Sequence, residues 1–171
     1  MTVAVRTSDP AVVRRFMSAG ILLGIGFGGF VDGILLHQIL QWHHMLTSTG
    51  DHPATTVAGL ETNTVWDGLF HVGAWLAAFA GVWLLASAQR DGARSSTPLL
   101  AGLVLAGWGT FNLVEGTIDH HILGVHHVHS GDAQWAYDLG FLLLGAVLLL
   151  GGLALARRAE SGTADAWAPR G

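Results

Sequence analysis

Two stretches of the chain carry carboxylates and imidazoles at one shared spacing. Asp32-Gly33 is followed by His37 and by the pair His43-His44. Glu115-Gly116 is followed by Asp119, by His120-His121 and by the pair His126-His127. Acid, glycine, histidine and histidine pair each recur after 83 positions (115 − 32, 120 − 37, 126 − 43). Such agreement reads as an internal duplication. A second element of each half is matched more loosely: Trp66-Asp67 is echoed by Trp135 with Asp138, and His71 falls one turn after Asp67 where the other half has Leu142.

Carboxylates mixed with imidazoles are the ligand set of metal ions. The chain has no cysteine, which excludes disulfides, thiolate metal sites and thiol nucleophiles. An oxygen and imidazole set suits iron, copper or zinc. The expected ligands are Asp32, His37, His43, His44, Asp67, His71, Glu115, Asp119, His120, His126, His127 and Asp138, with one histidine of each outer pair sufficing. Asp67, Glu115 and Asp119 are also candidates for bridging groups, orienting groups or general bases. On a regular α-helix Asp32 shares a direction with His43, and Glu115 and Asp119 with His126, while His37 and His120 lie about 120–140° round with His44 and His127. His121 points elsewhere, and its counterpart is Gln38.

These residues need elements that hold them in one layer, and composition says which. The chain is 51% hydrophobic and only 12% charged, about half the charge of a soluble domain. That places it in a lipid bilayer. A net charge of −4 argues against a nucleic-acid partner. Four apolar stretches, at about 16–44, 65–88, 99–123 and 135–156, can each cross the ~30 Å hydrocarbon core. The fold class expected is an all-α, integral-membrane four-helix bundle built from two pseudo-symmetric two-helix repeats. Residues 1–15 form a cytoplasmic segment, 16–157 the transmembrane metal-binding domain, and 158–171 a disordered tail.

Arginine placement orients the chain. Arg6, Arg14 and Arg15 precede the first helix, Arg90 and Arg94 join the second to the third, and Arg157, Arg158 and Arg170 follow the fourth. The positive-inside rule then sets both termini in the cytoplasm and the histidine-rich loops outside, in a bacterial inner membrane. Counted at 1.5 Å per residue, Asp32 and Glu115 stand about 25 Å up from the cytoplasmic side, and His71 and Asp138 about 28 Å. An ionisable group at such depth costs about 2.5–3.5 kcal/mol. With no arginine or lysine in the layer, a metal ion or a protonated imidazole must supply positive charge. Gly20, Gly24, Gly28, Gly29 and Gly33 form a small-residue ridge, read as packing within the bundle ahead of a homo-oligomer interface. Trp42, Trp66 and Trp135 read as anchors at the outer interface, and Trp75, Trp83 and Trp108 as core or lipid-facing.

At these motifs the chain resembles a bacterial family of small predicted membrane proteins, a domain of unknown function numbered 2243. The matching residues run from Gly29 through His44, from Trp66 to His71, and from Asn112 through His121. The resemblance covers about residues 16–155 and implies a shared membrane architecture. Gln41-Trp42-His43-His44 is also similar to the last histidine box of membrane desaturases and hydroxylases, although the other spacings differ.

The residues themselves favour a membrane metalloenzyme with two or more metal ions, copper or iron ahead of zinc. Redox chemistry on a membrane-soluble or extracytoplasmic small molecule is expected, with metal-dependent hydrolysis as the redox-free variant. The alternatives are a copper or zinc transporter, chaperone or sensor, a haem protein with His37 and His120 as axial ligands, and a proton relay without metal.

Overall fold

A computed structural model describes residues 9–93 and 96–164, the last four as backbone only. Helix α1 spans Pro10–Val31 and continues as a π-helical segment, Asp32–Ile39. Helix α2 spans Val57–Arg90. Helix α3 spans Thr97–Glu115 and continues as a second π-helical segment, Gly116–Ile122. Helix α4 spans Gln134–Ala164. Among the described residues there is no strand, and all four helices are long and apolar enough to cross a membrane.

Local sequence accounts for the helix starts. Asp9 accepts the Ala11 N–H at 2.8 Å ahead of Pro10, a residue pre-set for the first helical turn. Thr56 accepts from Gly59, and Ser96 accepts from Leu99 with Pro98 in the first turn. Helix α4 runs on to Ala164, so residues 158–164 of the expected disordered tail are helical. The remainder of that tail, with Arg170, lies outside the described residues, as do Arg6 and Arg94.

Helix α2 packs along α1, α1 along α3, and α3 along α4. Glycines permit these close approaches. A Cβ on Gly24 would lie 2.7 Å from the Trp108 backbone nitrogen and 2.8 Å from the Gly107 Cα. Gly26 and Gly29 face Ala74 and Ala78 of α2, while Gly102 and Gly152 meet across the α3–α4 contact. The glycine ridge is therefore used inside the molecule. Trp75, Trp83, Phe79, Leu143 and Val147 lie exposed on α2 and α4, where lipid replaces water as the neighbour.

The apolar core sits at one end. Phe16, Ala88, Leu99, Leu103 and Ala156 pack together there. Beside them Arg15 pairs with Asp91 at 2.6 Å and donates to Ser87 at 2.9 Å. Arg14, Arg90, Arg157 and Arg158 belong to the same end by their places in α1, α2 and α4. The buried polar residues gather at the other end.

Candidate metal centre

The two motifs depart from α-helical geometry at the same place. Five residues of an α-helix turn the chain to about 140° from its starting direction. In a π-helix, with its wider turn and i→i+5 hydrogen bonds, they end much closer to the starting direction. The Leu40 N–H donates to the Leu35 carbonyl at 2.8 Å, and Leu123 to Ile118 at 2.8 Å. This turn sets His37 against Asp32, with Nε2 3.3 Å from Oδ2, and His120 against Glu115, with Nε2 3.0 Å from Oε1. The sequence-based angles, which separated these partners, are corrected here. The first helix also ends at Ile39 rather than reaching His44.

After each π segment the chain turns sharply. Gln41 adopts φ +50°, and Gly124, 83 positions on, adopts φ +59°. The turn folds the histidine pairs back over the helix ends. His43 and His126 then stack with ring centroids 4.7 Å apart and planes 5° from parallel. His37 lies 4.4 Å from His43 and 5.9 Å from His126. His120 lies 4.9 Å from His126 and 6.4 Å from His43. Four imidazoles thus form one buried block, with Phe70 against His37 and Phe141 against His120.

Three of the four rings are anchored through an Nδ1 hydrogen bond to an oxygen. The His43 Nδ1–H donates to the Val128 carbonyl at 2.8 Å, and the His126 Nδ1–H to the Met45 carbonyl at 3.3 Å. A carbonyl can only accept, so these nitrogens carry a proton; the Nε2 of His43 is left with its lone pair, and that of His126 is hydrogen-bonded to Glu115 Oε1 at 2.8 Å. His37 donates from Nδ1 to Asp67 Oδ1 at 3.0 Å, and His120 Nδ1 lies 3.4 Å from Asp138 Oδ1. Burial, reinforced by His126 and His37 nearby, pushes the His43 imidazole down to about 2, so it is neutral.

Inside the block the Nε2 atoms meet carboxylates. Glu115 Oε1 is 2.8 Å from His126 Nε2 and 3.0 Å from His120 Nε2. Asp32 Oδ2, Glu115 Oε2, the Nε2 atoms of His37 and His43 and both ring nitrogens of His120 are buried without a hydrogen-bond partner. Donor atoms from His37, His43 and His126 lie within 4.8 Å of one another, and so do those of Glu115, His120 and His126. Lone pairs that converge so closely repel unless a cation lies among them. The residues fit a metal ion.

Asp67 and Asp138 stand one layer out. Asp67 accepts from His37, from His44 Nδ1 at 2.6 Å, from the Met45 N–H at 3.0 Å and from Gln38 at 3.4 Å. Asp138 accepts from His127 Nδ1 at 2.7 Å and from the Val128 N–H at 3.0 Å. Their oxygens are occupied by these donors, so they hold imidazoles and loop backbone in place. His44 and His127 are held against them and face outward of the block. Of each outer pair, the first histidine is the inner one.

Two expected ligands stand apart. His71 donates from Nδ1 to the Asp67 carbonyl at 2.7 Å, as a residue four further along an α-helix can. Its Nε2 lies against Gly33, where a Cβ would come within 2.6 Å. Asp119 is half-buried and lines a groove between α2 and α3. His121 is exposed, its Nδ1–H bonded to the Gly116 carbonyl at 2.8 Å.

Sequence reasoning missed two asparagines. Asn63 is fully buried, accepts the Leu46 N–H at 2.8 Å and donates to the His52 carbonyl at 2.8 Å, which ties the first outer loop to α2. Asn112 is 2% exposed with its Oδ1 unpartnered. Its amide amid the apolar residues of α3 was the available signal.

Fold and cluster together define a helical membrane protein with a buried histidine–carboxylate centre. The chain belongs to the family described as "Predicted membrane protein (DUF2243)", which matches residues 19–159. No curated protein and no solved structure matches it.

Proposed function

We propose that this is a membrane metalloprotein with a dinuclear centre, working as a metal-dependent oxidoreductase. The observation that carries the reading is the block of four imidazoles, His37, His43, His120 and His126, with Nδ1 turned out to oxygens and Nε2 turned in towards Asp32 and Glu115. The donor atoms converge in two overlapping sets, His37, His43 and His126, and Glu115, His120 and His126, with Asp32 against His37. Charge supports the same count: two divalent cations would offset the four buried carboxylates Asp32, Asp67, Glu115 and Asp138. Every described arginine belongs to the opposite end.

Iron or copper suits imidazole and carboxylate ligands, with zinc as the redox-free choice. Bound there, such ions would supply electron transfer or Lewis-acid chemistry. The chain's own residues orient the ligands. Asp67 fixes the tautomer of His37, as outer carboxylates do in metal sites, and Asp138 stands 3.4 Å from His120 Nδ1. Burial excludes water from the inner block. A porphyrin with His37 and His120 as axial ligands is disfavoured, because His43 and His126 pack against both rings and fill the space between them.

The matched contacts favour an ancestral duplication. His43 to Val128 and His126 to Met45 are reciprocal bonds of equivalent positions, as a two-fold axis between the stacked rings would require. The arginines at one end favour cytoplasmic termini and a centre near the outer face of a bacterial inner membrane.

Elemental analysis of untagged protein, purified in detergent, tests the reading. About two equivalents of iron or copper are expected. Loss of most of the metal in His43→Ala and His126→Ala, with His44→Ala and His127→Ala retaining more, would support the inner set. A wild-type protein that neither carries nor takes up metal would refute it and favour the proton relay.

A further inference from the structure

The centre has a side entrance. A groove of about 360 Å³ opens between α1 and α4, a size that suits a small molecule. Its walls are apolar, from Leu35 and Val31 on α1 to Phe141 and Leu144 on α4. Asp32 and Asn112 also line it, 4% and 2% exposed, and both have an oxygen without a hydrogen-bond partner: Asp32 Oδ2 and Asn112 Oδ1. Asp32 Oδ2 is 3.3 Å from the inner nitrogen of His37, so the groove ends at the metal centre.

Burying an acceptor without a donor costs about 1–3 kcal/mol. With Asp32 Oδ2 turned to the centre, the Asn112 Oδ1 acceptor in an apolar groove calls for a ligand with one donor and hydrocarbon elsewhere. A carboxylate has about four lone-pair sites, so Asp32 can serve a metal ion and still accept a hydrogen bond. Trp42 and Tyr137, ring centroids 5.5 Å apart, stand at the outer end of the groove, with His129 stacked on Tyr137 at 4.7 Å. Aromatic faces there suit a flat or unsaturated apolar body. The corresponding groove between α2 and α3 is smaller, about 240 Å³, and has Asp119 at the position of Leu36. Glu115, with Oε2 unpartnered, lines that second groove, but only the first adds an unpartnered amide oxygen, Asn112 Oδ1.

We infer that this groove binds a membrane-dissolved molecule with a hydroxyl on an apolar body, the hydroxyl donating to Asn112 Oδ1 in the groove that Asp32 also lines. This names the substrate class for the proposed oxidoreductase and rests on that reading. The hydroxyl could be that of an aliphatic alcohol or of a phenol such as a quinol.

Native mass spectrometry of the full-length protein, released from detergent, tests the inference. The probes are dodecan-1-ol and decylhydroquinone, with dodecane and decylbenzene as hydroxyl-free controls. Retention of a hydroxyl probe at least about tenfold above its control is expected, and Asn112→Leu should remove about tenfold. Gly140 lines the groove and has open space around its missing Cβ. Gly140→Leu should therefore fill the groove without a clash and abolish retention. Gly73→Leu, equally unobstructed beside a different groove, should leave it unchanged. Preference for one hydroxyl probe identifies the aliphatic or the phenolic class, and either supports the inference. Equal retention of probes and controls, or full retention in Gly140→Leu, overturns it. Metal is measured on the same samples. Metal-free wild type that still selects the hydroxyl refutes the metal reading alone, and metal-loaded protein without selection refutes the groove alone.

Discussion

Asp67→Asn removes the group that fixes two imidazoles while leaving its shape. Asp67 takes four donors: His37 and His44 through Nδ1, the Met45 N–H and the Gln38 amide. Asparagine keeps one accepting oxygen and turns an NH2 towards donors on the other side. One of the two histidines must then reverse its tautomer or lose its bond. If His37 does so, its inner Nε2 becomes protonated and can no longer bind metal. Outer partners of this kind are worth about 10–100-fold in metal affinity. That factor is about 1.4–2.7 kcal/mol, in line with about 1.5–3 kcal/mol for a hydrogen bond to a charged group. Asp138→Asn should act more weakly, since Asp138 hydrogen-bonds His127 and the Val128 N–H but stands 3.4 Å from the inner His120. Competition titration against a chelator of known affinity measures both. Unchanged affinity in Asp67→Asn, with the fold intact, would refute the assignment of Asp67 as the anchor of the inner histidines.

Burial holds His43 near a pKa of 2. Its imidazole should show no protonation in an NMR titration of metal-free protein from about pH 8 to pH 4, and a midpoint near the free value of about 6.5 would contradict the burial. Gln41 pays for a left-handed turn that its counterpart Gly124 adopts freely. Gln41→Gly should leave thermal stability unchanged or raise it, by up to about 1 kcal/mol, whereas Gly124→Val should lower it. Gly24→Val drives a side chain into the α3 backbone at Gly107 and Trp108, so thermal unfolding in detergent should show a loss of about 1–3 kcal/mol or more.

Membrane residence, four helices and the polar layer follow from composition and spacing, because hydrocarbon imposes a length on every span and a penalty on every charge. The recurrence of acid, glycine and histidine after 83 positions is a property of the sequence itself, and it pointed to most of the buried cluster. Spacing could not say which atoms meet. Asp32 and His37 look apart on an α-helix, and only the π turn, set by the packing of each motif against its neighbours, brings them into contact. The choice between His43 and His44, and between His126 and His127, was equally illegible, since adjacent residues differ only in the direction the folded chain gives them. Asp67 and Asp138 look like ligands by type; the histidine and backbone donors that fill their oxygens are visible only in the folded chain. Residue types determined that a buried site of carboxylates and imidazoles would form. Which nitrogen carries a proton, which carries a free lone pair, and where an apolar groove reaches them depend on contacts between residues far apart in the chain, and tertiary structure alone decides these.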